Sequence, residues 1–302
     1  TAAAQSFEPE RHLPAHPLVY LDVAGGAFWD LALADSWTAG LLAHDRVDAA
    51  TAELQASVQR MAVQYGSLLW MSLGWGPDEL LSHLGSRVSV ALYDLGGDDR
   101  APSLAVVIEN EDDADGLYAG VMQLLRMNLQ LEAVPGTPGA LRSDFGPNRL
   151  HVASLGGAVV LTVGGVFDDI LDLRARDDGV GSLEDSAFGR RMERELGFDR
   201  QGAVLAVNGP RLMDVLRTGA REDGDAADMD EVLRESGLGR LGVAGLSLGR
   251  SADGQLEQRL GLELVSDEPA DGDGLGMLLG ALDVRVPGAH VEGALARLPA
   301  DA

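Results

Sequence analysis

Two stretches far apart in the chain, VYLDVAGGAFWDLA at 19–32 and AVLAVNGPRLMDVL at 203–216, set against each other with hardly a gap. Val207 falls on Val23, Gly209 on Gly25 and Asp214 on Asp30. Each opens as a short apolar run, which favours a strand, and continues into a helix-like stretch. The segments downstream of the two openings correspond as well. After the first opening, VSVALYDL (88–95) and SLAVVIEN (103–110) flank the turn-rich GGDDRAP; after the second, VAGLSLGR (243–250) and LEQRLGLELV (256–265) flank SADGQ. Both pairs read as hairpins. ADG (114–116) precedes the apolar, helix-length LYAGVMQLLRMNL, and ADG (270–272) precedes a second apolar stretch.

The order strand, helix, hairpin, helix, strand is the βαββαβ of ferredoxin-like, split-βαβ units. The sequence therefore predicts an α+β fold of two diverged βαββαβ pseudo-repeats on antiparallel sheets. A polar tether at 1–11 comes first. The first unit, 12–199, carries a short helix at 28–34 and a long one over 45–71. In the long one Leu54, Val58, Met61 and Tyr65 share a face. That unit also holds an added hairpin, LHVASL and AVVLTVGG joined at Gly156-Gly157, and the helices FDDILDLRA and SAFGRRMEREL. The second unit spans 200–286, with the acidic insert REDGDAADMDE (221–231) as a solvated loop. In the C-terminal segment 287–302, LPADA repeats the LPA of 13–15. It reads either as the start of a further, truncated unit or as a common phrase of an Ala-rich chain.

Composition removes whole classes of chemistry. The chain has 302 residues, 46% of them apolar, enough for a substantial core. Acids number 48 against 23 basic residues, a net charge of -25, which disfavours nucleic acid and anionic lipid as partners. Every basic residue is Arg. Without Lys there is no Schiff base and no Walker-A phosphate lysine; without Cys there is no disulfide, thiol nucleophile or thiolate zinc site. No apolar run reaches the ~18–20 residues needed to span a bilayer. The polar opening TAAAQSFEPERH reads as a processed N-terminus, so contact with a membrane is expected only through a removed leader or anchor.

Several motif matches fail on context. GLSLG (245–249) spells the nucleophile elbow, with Ser247 as nucleophile, His290 as base and Asp267, Asp271, Asp273 or Asp283 between them. An elbow needs a strand turning into a helix, whereas Ser247 sits in a strand-like run before another strand. GLGRLG (237–242) spells the dinucleotide fingerprint with its strand and helix in reversed order. EDDADG (111–116) begins like a calcium loop, but Met122 stands at the twelfth position, where the bidentate Glu belongs. His12 and His16 are separated by Pro14, and His44, His83, His151 and His290 show no ligand spacing. Neither a metal nor a cofactor is implied. Tyr65, Trp70, Met71 and Trp75 form the densest aromatic and sulfur-rich patch, read as core packing or as an apolar binding patch.

LPAHPLVYLDV (13–23), DELLSHLGSRVSVAL (78–92), LAVVIEN (104–110) and SLEDSAFGRRM (182–192) together resemble a family of uncharacterised bacterial proteins. Its domain of unknown function opens LPADxxxYxxV, and its members carry leader peptides or membrane anchors. The resemblance covers most of 12–218. His16 stands where the family has Asp, while Asp301 keeps it. The resemblance implies an extracytoplasmic, non-catalytic protein and brings no catalytic residues with it. The expectation is a binding or interaction module for an unidentified protein or small apolar ligand, within a larger tethered or tandem assembly. Two alternatives stand beside it: a serine hydrolase using Ser247 and His290, and a structural protein stabilised by cations at its acidic loops.

Overall fold

The computed structural model describes residues 6–25, 87–96, 102–110, 114–145, 148–176, 178–197, 202–223, 229–233, 238–250 and 256–264. The elements, in chain order, are α1 (Pro9–His12), β1 (Val19–Ala24), β2 (Arg87–Asp94), β3 (Ser103–Glu109) and α2 (Ala114–Asn128). Then come β4 (Glu132–Ala133), β5 (Ala140–Phe145), β6 (Asn148–Leu155), β7 (Ala158–Val163), α3 (Val166–Arg176) and α4 (Ala187–Leu196). The last are β8 (Ala203–Asn208), α5 (Gly209–Asp223), a 3-10 turn (Leu238–Arg240), β9 (Leu241–Arg250) and β10 (Leu256–Leu264).

The strands form one ten-stranded sheet in the order β10-β9-β8-β1-β2-β3-β7-β6-β5-β4, and every pair in it is antiparallel. Val, Ile, Leu and Ala fill the strands, and short connectors join β2 to β3, β4 to β5, β5 to β6, β6 to β7 and β9 to β10. At Gly156 and Gly157, φ is 58° and 84°, so both central residues of the β6–β7 turn occupy the left-handed region that a two-residue hairpin requires.

The α+β class and the antiparallel sheet agree with the sequence reading. The strand order differs from a ferredoxin-like unit, which seats its third strand between its first and second. Here β2 lies between β1 and β3, and β9 lies between β8 and β10. One reason is electrostatic: β2 carries Arg87 and Ser89, the partners that Asp22 on β1 requires once it is buried. Strands from both expected units share the sheet, because β8 pairs directly with β1. Its register sets Leu21 opposite Leu205, the residue that falls on Leu21 when the two openings are set against each other.

One face of the sheet, the inner face, is paved with small residues. Ala91, Ala105, Ala153 and Ala206 are fully buried, and Leu13 just after α1, Phe167 and Ile170 of α3, and Phe188 and Leu196 of α4 close the larger core with them. On the outer face α2 lays Leu117 and Met122 over Ile108, Val152 and Val159.

The phrases that carry the family resemblance meet in space. Leu183 N–H donates to the Leu13 carbonyl at 2.8 Å, Ala15 N–H to Gly181 at 2.9 Å, and Glu184 N–H to Glu10 at 2.8 Å. LPA and SLED are thus two sides of one clasp, with Leu13 and Leu183 both fully buried. The residues expected as a tether join it from Phe7 onward: Phe7 and Pro9 are buried, and Phe7 N–H donates to the Gly156 carbonyl at 2.9 Å. His16 comes next with φ of 65°, the one non-glycine in the left-handed region among the described residues. Asn and Asp tolerate that region and β-branched residues do not. His16→Asn is therefore expected to leave the unfolding free energy within about 0.5 kcal/mol of wild type, and His16→Val to lower stability by about 1–2 kcal/mol. Urea denaturation of the two variants checks the difference.

Candidate functional site

Directly opposed residues in an antiparallel sheet share a face. One row on the outer face crosses all ten strands: Leu260, Leu246, Leu205, Leu21, Val90, Val106, Leu161, Val152, Leu141 and Ala133. Rows above and below it are as apolar, through Ala244, Val207, Val19 and Leu92 on one side and Leu248, Ala203, Val23 and Val88 on the other. Helix α2 covers this face over β6 and β7. Over β8–β10, among the described residues, Leu205, Leu246 and Leu260 are 44%, 39% and 60% exposed, three leucines side by side on adjacent strands. Scattered surface leucines are ordinary; these three are contiguous across adjacent strands.

The inner face holds the opposite arrangement, a buried cluster of charge. Asp22 is fully buried, and its Oδ1 accepts from Arg87 Nε at 2.7 Å and from the Ser89 hydroxyl. Arg87 also pairs with Glu10, and its Nη1 lies 3.5 Å from Glu109. Register makes the cluster: Asp22 stands opposite Ser89, and Arg87 opposite both Ala24 and Glu109. Burial raises the Asp22 pKa, while the hydrogen bond and charge of Arg87 draw it back down. Tyr20, two residues away on the same face, is pushed well above the ordinary phenol range by burial and then by Asp22 and Glu10. Sequence reasoning does not single out these residues. The one signal for them is a charge embedded in each of two apolar strands, Asp22 in LVYLDV and Arg87 in SRVSVAL.

Ser247 lies on the inner face of β9, 6% exposed, and donates its hydroxyl proton to the Leu196 carbonyl at 2.6 Å. Its strand runs on into β10, paired antiparallel beside it. The glycines of GLSLG have a packing role. A Cβ on Gly245 would come 2.7 Å from Leu196 Cδ1, and one on Gly261 would come 2.7 Å from Cδ2. GLSLG is the seat on which the end of α4 rests. That helix begins at a Ser186 cap, which accepts from Gly189 N–H at 2.8 Å, and ends at Gly197 with φ of 56°. Arg191 ties it to Glu263 of β10 at 3.2 Å, and Arg194 pairs with the same carboxylate.

The apolar patch Tyr65, Trp70, Met71 and Trp75 lies outside the described residues, as do His290, the 28–34 and 45–71 helices and the 287–302 segment. Asp115 of the EDDADG stretch lies in the first turn of α2. The acidic insert is partly helical: residues 221–223 end α5, and 229–233 form a helical turn. Leu238–Arg240 of the GLGRLG stretch form the 3-10 turn that leads into β9. His12 is buried and accepts from Glu8 N–H, whereas His16 is exposed. Among the described residues no group of acids and histidines is arranged to hold a metal ion, and no helix is long and apolar enough to cross a membrane.

No family model matches the chain, and no curated protein matches it. Among solved structures it is similar to crystal form III of TP0453, with 12% identity over 96% of this chain and 91% of that one, at a TM-score of 0.43. Form IV gives 12% identity, 96% and 90% coverage, and 0.43. Form I gives 9%, 87% and 81%, and 0.32.

Proposed function

We propose that this chain is a non-catalytic, extracytoplasmic binding module whose open outer face takes the apolar side of a basic protein partner. The exposed row Leu205–Leu246–Leu260 carries the reading. A broad sheet face suits a protein surface better than a small molecule, which needs a concave site. The net charge of -25 selects a cationic partner and opposes a second copy of the chain. The extracytoplasmic location rests on the family resemblance of the LPA and SLED phrases, which form one clasp.

We further propose that the sheet contains a duplication. The Leu21–Leu205 pairing lies on a local two-fold axis between β1-β2-β3 and β8-β9-β10, and the sequence match supports the same correspondence.

The test uses a cationic amphipathic helical peptide and a scrambled peptide of equal charge, titrated by fluorescence anisotropy at physiological salt. The amphipathic peptide is expected to saturate, and binding to fall at least tenfold in Leu205→Ser/Leu246→Ser/Leu260→Ser. Equal binding of the scrambled peptide overturns the apolar contribution. A stable dimer in sedimentation, or a triple variant that unfolds, overturns the basic partner in favour of a second copy or of the chain's own segments. Labelling by a serine-reactive fluorophosphonate that disappears in Ser247→Ala overturns the non-catalytic reading.

A further inference from the structure

On the inner face, far from the open leucines, Arg142 of β5 stands opposite His151 of β6, and His151 stands opposite Thr162 of β7. Each contributes a buried polar atom with no hydrogen-bond partner among the described residues: Arg142 Nε, His151 Nδ1 and Thr162 Oγ1. Nine in ten or more buried polar groups in proteins are paired; of the buried polar atoms without a partner among the described residues, these three fall together in one cross-strand row. Opposed side chains are about 5 Å apart, close enough for one small group to meet neighbours in the row.

Burial is graded along the row. Thr162 is fully buried, His151 is 6% exposed, and the Arg142 side chain is 36% exposed. The imidazole is held in place by stacking on Phe167, with centroids 4.5 Å apart and planes 7° from parallel. Phe167 belongs to the first turn of α3, so the positive end of an eleven-residue helix lies beside the row.

The chemistry of the three groups is directional. Arg142 Nε can only donate, the Thr162 hydroxyl can donate, and the imidazole Nδ1 donates in one tautomer. Arg142 pairs at its far end with Glu132 at 3.7 Å, which leaves Nε for another acceptor. The acids acting on the imidazole are Asp168, in the first turn of α3, and Asp144, which is held by Arg149 at 2.8 Å.

We infer that Arg142, His151 and Thr162 form a binding site for a small oxyanion, a carboxylate or inorganic phosphate, entering beside Arg142 and accepting hydrogen bonds from the row. Its two sources are a free ion and the acidic group of a larger ligand, with the same oxygen chemistry in each. The inference stands apart from the outer-face reading, because no residue is shared.

The test follows the ring nitrogens of His151 by two-dimensional 15N NMR on the full chain, assigned with His151→Gln. Sodium phosphate and sodium acetate are titrated separately against sodium chloride at matched ionic strength. A saturable shift in the millimolar range is expected with one or both, weakened at least tenfold in Thr162→Val and in Arg142→Met. Thr162→Val keeps the shape and removes an unpaired hydroxyl, so it retains the fold. A shift with phosphate alone assigns the site to phosphate groups, and one with acetate alone to carboxylates. No saturable shift with either, or shifts unchanged in both variants, overturns the site and leaves the row to water.

Discussion

Replacing Arg87 with alanine is expected to lower the free energy of unfolding by about 3–5 kcal/mol at pH 7, the loss typical of breaking a buried pair from one side. The guanidinium is the shared partner of Asp22, Glu10 and Glu109, and its removal leaves a fully buried carboxylate held by the Ser89 hydroxyl. Burial already raises the Asp22 pKa and Arg87 opposes that rise, so the variant's carboxyl holds its proton to still higher pH in the folded state. A raised folded pKa gives stability that is present at low pH and lost as pH rises through that pKa. The deficit against wild type is therefore larger at pH 7 than at pH 5. Adding Asp22→Asn removes the stranded charge and restores part of the loss. Urea titrations of the wild type, the single variant and the double variant at both pH values check all three statements. Equal deficits at the two pH values would remove the ionic account.

Gly245→Ala is expected to cost about 1–3 kcal/mol, because the new methyl meets both the Leu205 carbonyl, at 2.5 Å, and the Leu196 side chain. Ser247→Ala removes one buried hydrogen bond and is expected to cost about 1 kcal/mol. Both changes loosen the same contact, the seat of α4 on β9. Hydrogen exchange should thus quicken in 187–196 before it quickens in β1 or β2. Unchanged protection of α4 in Gly245→Ala would show that the seat does not hold the helix.

Local order is legible in the sequence where period and punctuation agree. LVYLDV, AVVLTV and AVLAVN are strands, Gly156-Gly157 is a tight turn, and SAFGRRMEREL is a helix with its serine cap. Strand β5, ALRSDF, escapes a reading by apolar runs, because the consecutive Arg142, Ser143 and Asp144 mask a strand lying between a short edge strand and β6. Helix α1 escapes it too: PERH looks like part of a polar leader until Phe7 and Leu13 are seen buried on either side. Strand order is not legible, because the choice between placing β2 or β3 beside β1 depends on which strand can compensate Asp22. That compensation comes from Arg87, whose letter alone looks like the solvated end of a strand. The open leucines are hidden for a different reason: Leu205, Leu246 and Leu260 come from three strands, and only register puts them side by side.

The adjacency of β1 and β8 joins strands far apart in the chain. Of the two strands flanking β1, β2 starts at residue 87 and β8 only at residue 203. Until β8 arrives, β1 is an edge strand with free backbone donors and acceptors, and contacts of such long sequence separation form slowly. A nascent or truncated chain ending before residue 203 would display that edge. Pairing with β8 conceals it, so the exposed interval of β1 lies between the synthesis of the two strands.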